Sequence, residues 1–524
     1  MAYEILFAIH FGGGLPAFFV DADNITPYVK NASWSIGMSQ PYQLVADDIR
    51  ATITVNNSDG RFSPEDASGA YYGDLVPGIF FEIYAKQGTS YTTIWLGYVE
   101  SVKPVPGVYN SNEAMITCIG VDKVLKNTEV NLPLMQNVTA DEIIAAILDQ
   151  VPLPGISNLG WLLGVAGTSE LGVSTYLRSV PFFTWLQSGA QVFPYVGDNW
   201  EPRTHAAREI ADAVSGERGR FFIDRTGRAV FWNREYLQKR TTLADTFDES
   251  DWRDLDYSHS DDIVNEVTVV VHPRSITSSE VILWELDETL EIPKEGEKTI
   301  RARYTEQDSD AKVSALYTVF PTIAAGTLEY YYKDGSGTFV AATDSTQHLS
   351  INMEADARGA KLTLISSHTD DIEVRSLQLL GPKITTYNEV EVTEVDGESQ
   401  TLYGTRSMRI DLKLLDSDDD GRNIARYELV RRSQPRGLVK SVRLSNKPAN
   451  DDKKIDLGMA SRIAIQDAKT QHDDEYFIIG EKHVYTREGQ HEVTWIVELA
   501  SSSRAWLLGV TGYSELGINT YLGF

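Results

Sequence analysis

Three short stretches hold residues that could do chemistry. HDDE, His472 to Glu475, places an imidazole beside three carboxylates, the side chains that ligate divalent metals. Adjacent residues project in different directions on either a helix or a strand, so the stretch reads as a solvated acidic turn. DSDDDG, Asp416 to Gly421, begins like a calcium loop with Asp416, Asp418 and Asp420. Tyr427 then stands at the twelfth position, where a bidentate Glu is required. The residues that follow are helical in pattern, which makes this an acidic cap at a helix N-terminus. HEVTW, from His491, starts like a zinc-protease signature, but the second His is missing and the run alternates as a strand does. No nucleophile elbow G-x-S-x-G and no phosphate loop G-x-x-x-x-G-K-[ST] occurs, and the nine His are scattered. No catalytic, cofactor-binding or metal-binding residue is assigned. The chain is expected not to be an enzyme and to need no cofactor.

The elements that would have to position such residues are mostly strands. The chain has 524 residues, enough for three or four domains at about 150 residues each. A net charge of −28 disfavours a broad nucleic-acid-binding surface, because binding phosphate depends on Lys and Arg displacing counterions. Cys118, the single cysteine, sits in the apolar run AMITCIG and reads as a small buried hydrophobe. The apolar N-terminus has no Lys or Arg before Lys30 and is broken by Glu4, His10 and three glycines. It reads as a strand rather than a signal peptide, which implies synthesis in a cytoplasm. No uncharged apolar run reaches the roughly 18 to 20 residues of a membrane span.

Residues 1–130 read as almost wholly β, with alternating runs such as IRATITVNN and GIFFEIYAK separated by turn clusters such as NSDG. Residues 131–248 read as a small α+β domain. In it Thr139 and Glu142 form a capping-box pattern, THAAREIADAVSG is a helix with Thr204 and Gly216 as its caps, and RFFIDRTGRAVFW is a hairpin. Residues 249–280 read as an acidic connector feeding VNEVTVVVHP, whose unbroken valines imply burial on both faces. Residues 281–382, with the turn signal Asp334-Gly335 inside LEYYYKDGSGTFV, read as an inserted β-sandwich. Residues 383–524 return to strands around an Asp-rich helix start.

One phrase is written twice. WLLGVAGTSELGVSTYL, 161–177, returns as WLLGVTGYSELGINTYL, 506–522, identical at 13 of 17 positions. The copies lie too far apart for a solenoid, whose periods run at about 20 to 50 residues. Ahead of the second copy, EYFIIGEKHVYTREGQHEVTWIVELA gives an apolar strand with Gly480, a charged turn and an alternating strand. TIWLGYVESVKPVPGVYNSNEAMITCIG, with Gly97, gives the same order in the first domain. Two related β-domains follow, 1–130 and 383–505, each with its own W-L-L-G segment. Trp161, Tyr176, Trp506 and Tyr521 are the expected packing anchors of the repeat. The competing reading is a turn motif reused in unrelated settings.

NNSDGRFSPEDASGAYYGDLVPGIFFEIYA, GERGRFFIDRTGRAVFWNRE and LQLLGPKITTYNEVEVTEVDGESQTLYGTRSMRIDLKLL, with the closing LLGVTGYSELGINTYLGF, resemble the baseplate-hub or tail-tip (minor tail) proteins of tailed bacteriophages. The resemblance implies a mainly β fold: two related hub-type β-barrels, a small α+β domain and the inserted β-sandwich. It implies a homotrimer whose two barrels per chain make a pseudo-sixfold ring, matching a sixfold tail tube to a threefold tip. The implied partners are a distal tail or tail-tube protein, the tape-measure protein and tip spike or fibre proteins, at the tail tip of the virion. A conduit for tape measure and DNA would need no sequence-specific nucleic-acid binding. Two features depart from a minimal hub. The chain ends without a wall-degrading module, and LEYYY in 281–382 leaves open an exterior receptor- or glycan-binding tail protein.

Overall fold

A computed structural model of the chain describes residues 3–11, 23–107, 111–130, 134–152, 162–163, 183–197, 204–260, 262–305, 313–487 and 490–500. It is 48% strand and 15% helix, the mainly β composition expected from the sequence.

The first part of the chain supplies six strands: β1 (Glu4–Ile9), β2 (Val29–Gly37), β3 (Arg50–Asn56), β4 (Phe80–Gln87), β5 (Ser90–Pro104) and β6 (Glu113–Ile119). Their alternation is that of strands with one buried face. In β3, RATITVN, Ala51, Ile53 and Val55 are fully buried while Thr52 and Thr54 are not. Cys118 on β6 is buried, as its apolar surroundings imply. Next come the helices α1 (Ala140–Asp149) and α2 (Ala206–Glu217) and the hairpin β7 (Arg220–Ile223) and β8 (Ala229–Trp232). Glu142 accepts from the Thr139 backbone amide at 2.9 Å, the reciprocal half of the expected capping box. The caps of α2 fall elsewhere than expected. His205 is the N-cap, the Thr204 hydroxyl being engaged by Glu209, and the left-handed C-terminal residue is Arg218. Gly216 is instead buried against the Phe193 ring, where a Cβ would lie 2.6 Å from a ring carbon.

The remaining strands do not follow the expected boundaries. β9 (Leu243–Phe247) and β10 (Trp252–His259) join β14 (Gly437–Leu444), β15 (Arg462–Asp467), β16 (His472–Thr486) and β17 (Gln490–Leu499) in the same sheet, so the second set of strands begins before residue 249 rather than at 383. Residues between β10 and β14 form two nested insertions. The outer one is a three-stranded sheet with β11 (Glu266–Val271) at its centre, between β12 (Val390–Val395) and β13 (Ser407–Leu412), under helix α3 (Asp418–Arg432). Burial of Val267, Val269, Val270 and Val271 agrees with a strand covered on both faces. Inside it lies the sandwich, whose sheets enclose a core of their own around Leu283, Tyr330, Leu362 and Leu377. The stretch expected to be a connector is therefore structural: β10 reads as an acidic linker because Asp254 and Asp256 are exposed along it, beside Arg253 and His259.

All twelve strands of the two sets make one sheet, ordered β1-β4-β5-β6-β3-β2-β16-β17-β14-β10, with β9 joined through β15 to β16. Numbered by appearance in its own set, each half has the order 1-4-5-6-3-2.

Candidate functional site

Five of the six strands in each half correspond in direction and in their main bulges; the first does not, since β1 runs antiparallel to β4 while β9 runs parallel to β15. Where β5 meets β6, Val99 faces Cys118 and the next pair is Ser101 with Thr117, leaving Glu100 bulged. Where β16 meets β17, Ile478 faces Val497 and the next pair is Gly480 with Ile496, leaving Ile479 bulged. Val99 exchanges backbone bonds with residues 78 and 79, and Ile478 exchanges the same two with residues 460 and 461. β2 is bulged at Lys30 and β10 at Arg253, and these side chains reach equivalent glutamates, Lys30 to Glu113 at 2.7 Å and Arg253 to Glu492 at 2.9 Å. β-Bulges are local devices that fix register and twist, so their repetition marks a duplicated design rather than shared turn chemistry. Gly97, paired with Gly480 by sequence order, is not its counterpart. The common bulge sets Ser101 there instead.

The halves meet where β2 pairs antiparallel with β16, from Asn31 opposite Thr486 to Gly37 opposite Gly480. The backbones come too close there for side chains. Gly37 has φ +77° and a Cβ on it would lie 2.7 Å from the Ile479 carbonyl oxygen, while one on Gly480 would lie 1.9 Å from the Met38 carbonyl oxygen. Trp34 stacks on His483 with centroids 4.9 Å apart and on His491 at 5.4 Å.

Behind this stack runs a buried polar chain. Arg225 Nε donates to Glu481 Oε2 at 3.0 Å, His483 Nε2 lies 3.0 Å from the same oxygen, His483 Nδ1 lies 3.0 Å from His491 Nε2, and His491 Nδ1 lies 2.6 Å from the Tyr3 hydroxyl. One proton arrangement satisfies every contact: Tyr3 donates to His491, His491 to His483, and His483 to the Glu481 carboxylate. Both imidazoles are then neutral. Burial pulls the pKa values of both histidines below the usual range, Glu481 holding His483 against it and the neighbouring positive groups adding to it at His491. Burial would raise Glu481, but Arg225 and His483 outweigh it and keep it ionised. Tyr3 and His491 border a cavity of about 450 Å³ with Asn446, Asp451 and Lys454. Lys454 Nζ donates to the His491 carbonyl and to Asn446, both at 3.0 Å.

A second buried node fastens the β7 hairpin and the outer insertion to the sheet. Glu498 on β17 accepts from Arg220 of β7 at 2.6 Å, from Arg431 of α3 at 2.8 Å and from the Tyr42 backbone amide at 2.7 Å. Burial alone would raise its pKa, but the two guanidinium groups bring it down to about 2. Arg218 similarly pairs with Glu428 between α2 and α3.

These arrangements join parts of the chain; they do not present a nucleophile with its base. Among the described residues no group of three or more His, Cys, Asp or Glu is placed to hold a metal ion. His472 of HDDE opens β16 rather than a turn and is buried, its Nε2 2.8 Å from the Tyr476 hydroxyl. Asp418, Asp419 and Asp420 form the first turn of α3 behind the N-cap Ser417, the acidic capping expected. His491 lies on a strand, as HEVTW implies, and enters the polar chain. Trp161, Tyr176, Trp506 and Tyr521 lie outside the described residues. Sequence reasoning missed Glu481, His483 and Glu498. The bulge at Ile479 disturbs the alternation ahead of the first two, and the third sits on a strand's polar face that other segments cover.

No protein-family model matches the chain, and no curated protein does. Its structure is similar to those of phage tail proteins. A tail protein from Neisseria meningitidis aligns at 8% identity over 95% of this chain and 96% of that one, with a TM-score of 0.47. The 43 kDa tail protein of prophage MuSo2 from Shewanella oneidensis aligns at 8% identity over 95% and 99%, with a TM-score of 0.46. An E. coli type VI secretion component, described as similar to the T4 tail proteins gp27 and gp5, aligns at 10% identity over 90% and 73%, with a TM-score of 0.35.

Proposed function

We propose that this chain is a structural tail-tip or baseplate-hub protein of a tailed phage, with no catalytic role. The observation that carries this reading is the duplication within one sheet of strand order and of the bulges that set it. A chain with two equivalent β units can present like surfaces at alternating positions of a ring, so three chains offer six docking units to a sixfold tube and three to a tip. The partners are a tail-tube or distal tail protein on one side, spike or fibre proteins on the other, and the tape-measure protein within. An overall charge of −28 suits a channel through which DNA passes without sticking. Trp161, Tyr176, Trp506 and Tyr521 serve in this reading as packing anchors beside the two halves. Light scattering with electron microscopy of the full chain tests it: a trimer with six lobes around a channel is expected, and a monomer at all attainable concentrations overturns it.

The sandwich favours a second reading as an exterior glycan- or receptor-binding protein, through one side chain. Of the three tyrosines in LEYYY, Tyr330 is buried in the core and Tyr332 packs against His348 and His368. Tyr331 lies beneath the Arg375 guanidinium at 3.9 Å, with Glu329 bonded to its hydroxyl. A glycan array probed with the chain decides this reading. Binding lost on Tyr331→Ala supports it, and no binding removes it.

A further inference from the structure

Within the chain, β2 of the first half lies along β16 of the second. The duplication supplies an unused counterpart of each. β10, the counterpart of β2, pairs with β14 on one side, and among the described residues no strand pairs with its other side. β5, the counterpart of β16, pairs with β6 over Ser101–Pro104, and no described strand lies on the opposite side of that segment. Even the strand ends agree. Ser260 has φ +68° at the position equivalent to Gly37, which has φ +77°.

Resting on the ring reading above, we infer that copies of this chain associate head to tail by adding β10 of one copy, antiparallel, to the outer edge of β5 of the next. The register is the one β2 already uses on β16. The Val105 amide donates to the Glu113 carbonyl, so alternation turns the amides of Ser101 and Lys103 toward β6 as well. The N–H and carbonyl of Val102 and the carbonyl of Pro104 are left directed outward. Transferring the seam register sets Ser101 opposite Ser260, Lys103 opposite Ser258 and Pro104 opposite Tyr257. Lys103 becomes the diagonal neighbour of Asp256, and both are exposed in the single chain, so the charges are complementary. Pro104 removes one donor from this edge. The intermolecular ladder therefore has fewer bonds than the internal seam, and the edge is a poor template for other strands. Two different surfaces meeting in this way make a heterologous contact, which closes into a ring when the rotation per copy allows.

The test is the double variant Lys103→Cys with Ser258→Cys in the full chain, oxidised and mapped by mass spectrometry. Cys118 is buried and does not compete. Disulfides joining 103 of one copy to 258 of another are expected, ending at the covalent trimer, while neither single variant crosslinks. In a second arm, Lys103→Glu is expected to weaken association roughly three- to tenfold, and adding Asp256→Lys to restore it. A trimer in solution without 103–258 disulfides overturns this inference and leaves the ring reading standing. A chain that stays monomeric removes both. Crosslinking in the Lys103→Cys single variant would show a like-to-like contact and also overturn it.

Discussion

Replacing Glu498 by Gln removes one charge and almost no volume from the node that ties β7, α3 and the Tyr42 loop to the sheet. Its carboxylate is buried and carries three donors within 2.8 Å. Holding its pKa at about 2 rather than the ordinary 4.5 corresponds to about 3 kcal/mol of stability at neutral pH. Losing one partner of a buried pair costs about 3–5 kcal/mol, because Arg220 and Arg431 stay buried without their counter-charge. The two routes agree, and a loss of about 3 kcal/mol is expected in the unit that includes β17. Because the folded pKa lies below the unfolded one, this stability is fully present above pH 4.5 and is lost as pH falls towards 2. The deficit of the variant must shrink over the same window. Hydrogen exchange resolved to peptides of β7, α3 and β17 is the suitable assay, since a chain of several units need not unfold in one step. A Gln variant with unchanged protection at pH 7, or a deficit as large at pH 3 as at pH 7, would show that the Glu498 carboxylate does not hold these segments together.

Gly37→Ala should weaken the seam by about 1–3 kcal/mol, through positive φ and the short approach to Ile479, seen as faster exchange in β2 and β16; Gly73→Ala, at φ +82° with open space around its Cβ, is the control for φ alone. His483 and His491 have depressed pKa values, so they contribute stability above about pH 6.5 that is lost as pH falls through their folded values; His491→Gln should flatten this acid-side loss of β16–β17 protection, and an unchanged slope would place the titration elsewhere. Excising residues 277–382 with a short linker should leave a folded protein that still associates. Ile276 already pairs with Ile384 at the base of the sandwich, and the sandwich has its own core; loss of all soluble protein would show that its neighbours depend on it.

Much of the first half was legible because its strands are local and one-sided: β3 and β6 alternate cleanly, and their partners lie nearby in the chain. The valines of β11 announced a strand covered on both faces. β10 was not legible as a strand, since WRDLDYSH is an edge whose exposed positions are charged or polar, and its partner β14 is separated from it by both insertions. Duplication was detectable in a phrase that lies almost wholly outside the described residues, yet its structural mark lies in bulges at Glu100, Ile479, Lys30 and Arg253, where sequence identity has vanished but backbone register has not. The buried polar chain was invisible because its members come from three segments, and because a histidine on a strand carries no mark of the neighbour that will accept its proton. Glu498 looked like solvent-facing alternation until α3 and β7 closed over it.

The nested insertions impose an order of events on synthesis. β9 and β10 leave the ribosome well before β14 to β17, with residues 260–436 made in between, a delay of roughly 10–40 s at ordinary translation rates. During that interval β10 waits with charged and polar residues exposed along it, while the sandwich, with its private core, can fold as soon as it emerges. Its completion brings residues 276 and 384 together and so shortens the loop that the late strands must close, which reduces the entropy lost when β14 finally finds β10. The inserted module, closed at its base, thus acts as a clasp that holds two distant parts of one sheet within reach.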